Sequence, residues 1–442
     1  MDFSKGSIFK NILKTAIPLT IAQLVQLLYN IVDRVFIGHM QNGGAALTGI
    51  GLMFPIVTIT IAFTNFYQVG GSSLFAIERG KKNDEYSREI LNNTFFLLLI
   101  SGIILTIFFY VFKKNILYLF GASENTFYYA NEYLKIYLIG TVFSMLATGI
   151  NSFIIAMGYS NRAMQTVLVG AILNIILDPI FIYAFNLGVS GAALATIISQ
   201  FISFIWVMIF ITDTHHEVNL NFKKIRIRLK TILKIMEVGI SGFLMSLTNS
   251  LVLITCNKML SIYGGDAYIG IMTIISSIRE LFVLPINGII GGAQPVMGYN
   301  YGAGEYKRVK KAIKIVTILT TSFTTIVWIL LLKNPTFFVG ILTSNEEIIE
   351  LSKTYLIIYF SAFFMMSFQF SGQSTFLSLG MSKEAVFFTI LRKGILVFSL
   401  TLLLPGVFGF GVKGVFLAEP ISNIIGGAAA YTAMIFKVYR KL

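Results

Sequence analysis

One cysteine and three histidines occur in 442 residues, and only 12% of the chain is charged. Cys256 stands alone in an apolar stretch, so no disulfide framework exists and the thiol reads as a small buried hydrophobe. His215 and His216 are adjacent but have no third ligand at metal spacing, so they read as solvated linker residues. With His and Cys this sparse and scattered, an integral-membrane enzyme is disfavoured and no cofactor is expected. No GxxxxGK[ST] phosphate cradle occurs. Any pumping must therefore run on an ion gradient or on a partner. No cleavable signal peptide is expected either: the first apolar stretch is too long and carries Asp33.

What fills the chain instead is apolar. Hydrophobic residues make up 56% of it and the mean hydropathy is +0.79. A soluble globule of this size has no place to hide that much apolar surface, and several runs exceed the roughly 20 residues needed to cross a bilayer. The expected fold is an all-α integral membrane protein with twelve transmembrane helices, near 12–38, 46–73, 88–112, 127–157, 161–186, 190–212, 231–262, 267–299, 306–332, 346–379, 384–408 and 412–437. The net charge of +14 is topology and contact with anionic lipid. Counted from an inside N-terminus, 23 of the 34 Lys and Arg fall on one side and seven on the other. The positive-inside rule then puts both termini in the cytoplasm. Nucleic acid is not an expected partner, because the basic patches lack a binding motif.

The second half of the sequence repeats the first in register. YLKIY from Tyr133 returns as YLIIY from Tyr355, Gly158 and Ser160 return as Gly380 and Ser382, and GVSGAALA from Gly188 returns as GVKGVFLA from Gly411. A six-helix unit was duplicated and fused, giving two pseudo-symmetric lobes of one orientation, a plan used by secondary transporters. The expected division is an N-lobe over 1–212, a basic cytoplasmic linker over 213–230, and a C-lobe over 231–442. Within the linker, 223–230 alternates Ile and Leu with cations and suits a membrane surface. The acids break the symmetry: Asn174 and Asp178 fall opposite Leu396 and Leu400.

Ionisable groups at membrane depth usually face a cavity or a partner. Asp33, Asp178 and Thr196 all reach the outer half of the bilayer if each helix rises about 1.5 Å per residue. Asn174 and Asp178 share a helix face, as do Ala192 and Thr196. Two carboxylates, an amide oxygen, a hydroxyl and a carbonyl are hard ligands that suit Na⁺ or a proton. The competing reading is that Asp178-Pro179 is only a helix-breaking turn and that Asp33 pairs with Arg34. In the first span Gln23, Gln26, Asn30 and Asp33 form a polar stripe and read as cavity lining, with Pro18 upstream as a hinge. Tyr29, Tyr137 and Met145 are further cavity candidates. The C-terminal half carries Arg279, Glu280, Arg392, Lys393 and Glu419 at membrane depth. These either pair with one another or offer Glu280 or Glu419 to a cationic substrate, and pairing is favoured. Glu237 reads as an interfacial charge.

Three segments in this order carry a resemblance: IPLTIAQLVQLLYNIVDRVFIGHM from Ile17, NIILDPIFIYAFNLGVSGAALAT from Asn174, and GGAQPVMGYNYGAGEYKRV from Gly291. The chain resembles the multidrug and toxic compound extrusion (MATE) family over nearly its whole length, and within it the bacterial DinF or MepA-like branch. The resemblance implies two six-helix lobes that rock between outward- and inward-open states. It implies a cation site at Asp33, Asn174, Asp178 and Thr196 with the backbone carbonyl of Ala192, a bend at Pro18, a cavity glutamine at Gln26 and an acidic cavity position at Glu280. The acidic positions of the NorM branch are absent from TNSLVLITCNK (248–258) and SAFFMMSFQF (361–370), and Ser241 replaces an expected proline. A C-lobe cation site of that type is therefore not implied.

The expected function is a Na⁺- or H⁺-coupled antiporter exporting amphipathic organic cations, drugs or dyes, as a monomer in the bacterial inner membrane. The rival is a flippase of lipid-linked oligosaccharides or precursors from the same superfamily. That activity calls for a cavity lined by several arginines, and here only Arg279 and Arg392 are available.

Overall fold

The computed structural model describes residues 1–40, 43–222 and 226–442. The surface segment expected over 223–230 therefore lies partly outside the described residues. Among the described residues every regular element is helical. The N-terminal half contains α1 (Ile8–Gly38), α2 (Gly43–Gly51), α3 (Phe54–Gly80), α4 (Asp84–Leu119), α5 (Glu124–Ala156), α6 (Ser160–Pro179) and α7 (Gly188–Ile211). The C-terminal half contains α8 (Leu229–Tyr263), α9 (Asp266–Gly302), α10 (Tyr306–Lys333), α11 (Pro335–Gly340), α12 (Glu346–Phe360), α13 (Met366–Ser378), α14 (Ser382–Thr389), α15 (Phe398–Gly406) and α16 (Gly411–Met434). Eleven helical spans among the described residues are long and apolar enough to cross a bilayer. The pair α2 and α3, bent by 40°, makes a twelfth if it counts as one span. On α4, Ile103, Ile104, Ile107, Phe108 and Val111 are exposed, as lipid contact requires and as water would not tolerate.

Local chemistry sets the ends. Asn83 caps α4 by accepting from the Tyr86 N–H at 3.2 Å. Ser123 and Thr126 form a capping box on α5, and Asn345 accepts from Glu347 and Ile348 at the start of α12. The repeated glycines mark equivalent stops. Gly158 and Gly380 have φ of 89° and 70°, and the N–H that follows each bonds back beyond its ordinary helical partner, Tyr159 to Ile154 and Met381 to Phe376. This is a helix-ending motif that needs the left-handed conformation glycine adopts freely.

Two compact units emerge. One comprises Met1–Asp2 and Pro18–Phe243; the other comprises Phe3–Ile17 and Leu244–Leu442. The chain thus changes units inside α1, at Pro18, and inside α8, after Phe243. The first unit is closed by the start of α8. A Cβ on Gly70 would overlap the Ile235 carbonyl oxygen, and one on Gly239 would overlap that of Phe66. Only glycine lets these backbones approach so closely, as in other membrane helix pairs. The second unit repeats the device: a Cβ on Gly292, the repeat equivalent of Gly70, would lie 2.6 Å from the Ala16 nitrogen. There Asn300 donates to the Phe3 carbonyl at 3.1 Å, and Arg308 donates to Asn300 at 2.7 Å and to Phe3 at 3.0 Å. The GYNYGAGEYKR stretch is therefore a clamp on the N-terminal segment.

The linker is tied to the first unit. Glu217 pairs with Arg79 at 2.6 Å, Asn93 donates to the Arg226 carbonyl at 3.0 Å, and Glu89 takes Arg228 and Thr231. His215 meets Asp213 at 2.7 Å, while the His216 ring lies 4.4 Å from that of Phe210.

Candidate functional site

α6 and α7 run on either side of a turn whose first half is a π-helical stretch, Ile180–Ala184, beginning straight after Asp178-Pro179. Such stretches recur at functional sites because they re-aim side chains. A close approach of Gly191 to the Phe181 carbonyl, 2.6 Å from a built Cβ, packs α7 back onto it. The Tyr183 hydroxyl donates to the Phe36 carbonyl at 2.6 Å and fastens the same stretch to α1.

These contacts assemble the predicted cation set in the first unit. Asp178 and Asn174 are fully or nearly fully buried. The Asn174 amide donates to Asp178 at 3.2 Å and to Thr196 at 3.5 Å, and the Thr196 hydroxyl donates to the Ala192 carbonyl at 3.0 Å. The Asp33 and Asp178 carboxyls are near neighbours, while Arg34 is exposed. Asp33 Oδ1, Asn174 Oδ1 and Asp178 Oδ2 are buried with no hydrogen-bond partner. Buried acceptors are normally satisfied. These three, two on carboxylates and one on an amide, form an oxygen donor set that fits a hard monovalent cation or a proton.

Beside the set lies a cavity of about 140 Å³, lined by Gln26, Tyr29, Thr148, Asn151, Gln200 and Ser203, and reaching Asn174 and Thr196. Its walls carry more unpartnered acceptors, on Asn151, Ser199 and Gln200. Of the residues expected to line a cavity, Gln26 and Tyr29 do so. Tyr137 stacks on Tyr133 at 5.8 Å, and Tyr133 lies near Thr196. Gln23 and Asn30 lie on α1 outside this lining, Glu280 is exposed on α9 in the other unit, and Met145 is core at 1% exposure. Tyr133 and the polar wall of α5 and α7 were not singled out from sequence. The i, i+4 spacing of Tyr133 and Tyr137 and of Ser199 and Ser203 was the available signal.

The C-terminal charges form a second cluster. Glu419 accepts from Arg392 at 2.7 Å and from Lys393 at 3.1 and 3.2 Å, with Arg279 at 3.8 Å. Pairing within the half is the outcome for these four, whereas Glu280 stands apart. Cys256 is buried beside Thr401 at 3.8 Å.

The MatE family model matches residues 18–180 and 242–403. The chain belongs to the MatE family. Among its relatives is the multidrug export protein MepA of Staphylococcus haemolyticus, 26% identical over 439 residues that cover 99% of this chain and 94% of the relative. MepA of Staphylococcus aureus is 25% identical, over 92% of this chain and 89% of the relative. A MATE crystal structure in complex with MaD3S superposes with a TM-score of 0.92 at 23% identity, covering 100% of this chain and 98% of that one. An outward-facing multidrug resistance MATE transporter of the MOP superfamily gives the same values. These MatE-family structures share the fold found here.

Proposed function

We propose that this MatE-family chain is a Na⁺- or H⁺-coupled antiporter that exports amphipathic organic cations by alternating access, as a monomer in a bacterial inner membrane with both termini cytoplasmic. The observation that carries the reading is the trio of unpartnered buried oxygens on Asp33, Asn174 and Asp178, set on a polar cavity. The MepA relatives, multidrug export proteins, support drugs as the exported compounds. A bound Na⁺ ion or proton supplies the positive charge that the two carboxylates lack. Asp33 then sits beside Asp178 without repulsion, Thr196 and the Ala192 carbonyl complete the oxygen set, and Asn174 presents its Oδ1 while its amide is held by Asp178 and Thr196. Gln26 and Tyr29 connect the set to the cavity, with Gln23, Asn30, Tyr137 and Glu280 as further substrate-facing candidates. The residues flanking Pro18 serve as the hinge, and the two lobes are the moving bodies. Competition between the coupling cation and the cationic substrate for one acidic region gives exchange.

The test is efflux of ethidium from liposomes under a Na⁺ gradient and, separately, a proton gradient. Asp33→Asn and Asp178→Asn are each expected to abolish gradient-driven efflux while the protein still reconstitutes. Full transport by both variants refutes the reading.

A further inference from the structure

We propose that the second unit holds a small-anion site at Arg279, Arg392 and Lys393, taking a halide ion or a carboxylate group. The internal repeat locates it. Glu419 falls opposite Thr196, and Tyr355 and Tyr359 fall opposite Tyr133 and Tyr137. The cluster thus occupies the place in the second half that the cation set occupies in the first, with the polarity inverted. The first half collects buried acceptors that no donor reaches. The second collects buried donors that no acceptor reaches, the Nε–H groups of Arg279 and Arg392.

Charge counting gives the same answer. Two arginines, which stay protonated in proteins, and a lysine face one carboxylate. Glu419 already accepts from Arg392 and Lys393, and the remaining acceptor, Asn423 Oδ1, is neutral and also taken by Arg392. Glu280, next to Arg279, is exposed. Among the four ion-paired groups themselves, at least one positive charge is therefore left over whatever the state of Lys393. Arg392 and Lys393 are 5% and 8% exposed. A buried uncompensated charge is unfavourable, and a monovalent anion offers the missing charge and acceptors together.

The backbone is arranged for it. Arg392 and Lys393 are consecutive and both reach Glu419 from the π-helical stretch Ile390–Val397. The Arg392 stem packs at 3.0 Å from where a Cβ on Gly426 would stand. Arg279, with a side chain 26% exposed, is the approachable edge of the cluster.

The experiment uses purified full-length protein in sodium methanesulfonate, whose anion is neither a halide nor a carboxylate, with sodium held constant so that the acidic site in the other half sees no change. Chloride, or separately acetate, replaces methanesulfonate at fixed ionic strength, and thermal unfolding and binding of radiolabelled chloride or acetate are read. A saturable stabilisation is expected, with the half-saturating concentration raised about tenfold in Arg279→Gln, as for loss of a charge-assisted hydrogen bond. Arg279→Lys, which keeps the charge, guards against a folding artefact and should fall between. Saturation by chloride alone identifies an inorganic anion. Saturation by acetate alone identifies the carboxylate of an organic ligand. No saturable effect of either, or equal half-saturation in wild type and Arg279→Gln, overturns the proposal. Binding is read without transport, so it stands or falls separately from the antiport reading.

Discussion

At the scale of single residues, Glu419 is the side chain on which most buried charge converges. Replacing it by glutamine leaves Arg279, Arg392 and Lys393 with no counter-charge from the protein, and breaking a buried pair from one side costs about 3–5 kcal/mol. Glu419→Gln is expected to lower the unfolding temperature in detergent by several degrees relative to wild type, and an unchanged temperature would show that the cluster is not held by this carboxylate. The contrast with Asp178 shows what a sequence can carry. Asn174 and Asp178 were legible because an i, i+4 spacing in a helix fixes a shared face, and Thr196 followed from the same spacing with Ala192. Tyr133 was not, since its neighbour Thr196 is on another helix and only packing brings them together. Glu280 and Glu419 looked alike in sequence. Whether a carboxylate on a helix is buried or exposed depends on the neighbours that cover it, and those come from distant segments.

At the scale of elements, α1 is the helix with most at stake. Pro18 has no N–H to give the Lys14 carbonyl, and a proline in a helix interior costs about 3 kcal/mol. Pro18→Ala is expected to raise thermal stability yet slow cation-driven efflux about tenfold, which corresponds to about 1.4 kcal/mol on the limiting step. The same liposome assay reads it, and unimpaired efflux would remove Pro18 from the mechanism. The spans themselves were readable to within several residues because apolar runs long enough to cross a bilayer have few other uses. Their interruptions were not. The π-helical stretches at Ile180–Ala184 and Ile390–Val397 and the break between α12 and α13 leave hydropathy unchanged. They arise where side chains must be re-aimed, and composition does not record direction.

At the scale of the whole molecule, the distribution of Lys and Arg makes a directional statement. In a Cys256→Ser background, Lys307→Cys should be protected from a membrane-impermeant maleimide added outside intact cells, and Lys113→Cys should react. The reverse pattern would invert the topology. The duplication was plain from sequence, but the unit boundaries were not placed at Pro18 and Phe243, because the linker is the obvious seam in composition. The chain instead changes units in mid-helix, twice, at nearly equivalent points of the repeat. Each body is completed by a stretch of helix that belongs, by descent, to the other copy: Phe3–Ile17 in one direction and 229–243 in the other. A half-length chain built this way has no closed body of its own, and two copies must trade their leading arms before either is whole. Joined end to end, the two halves make that exchange within one molecule, independent of concentration.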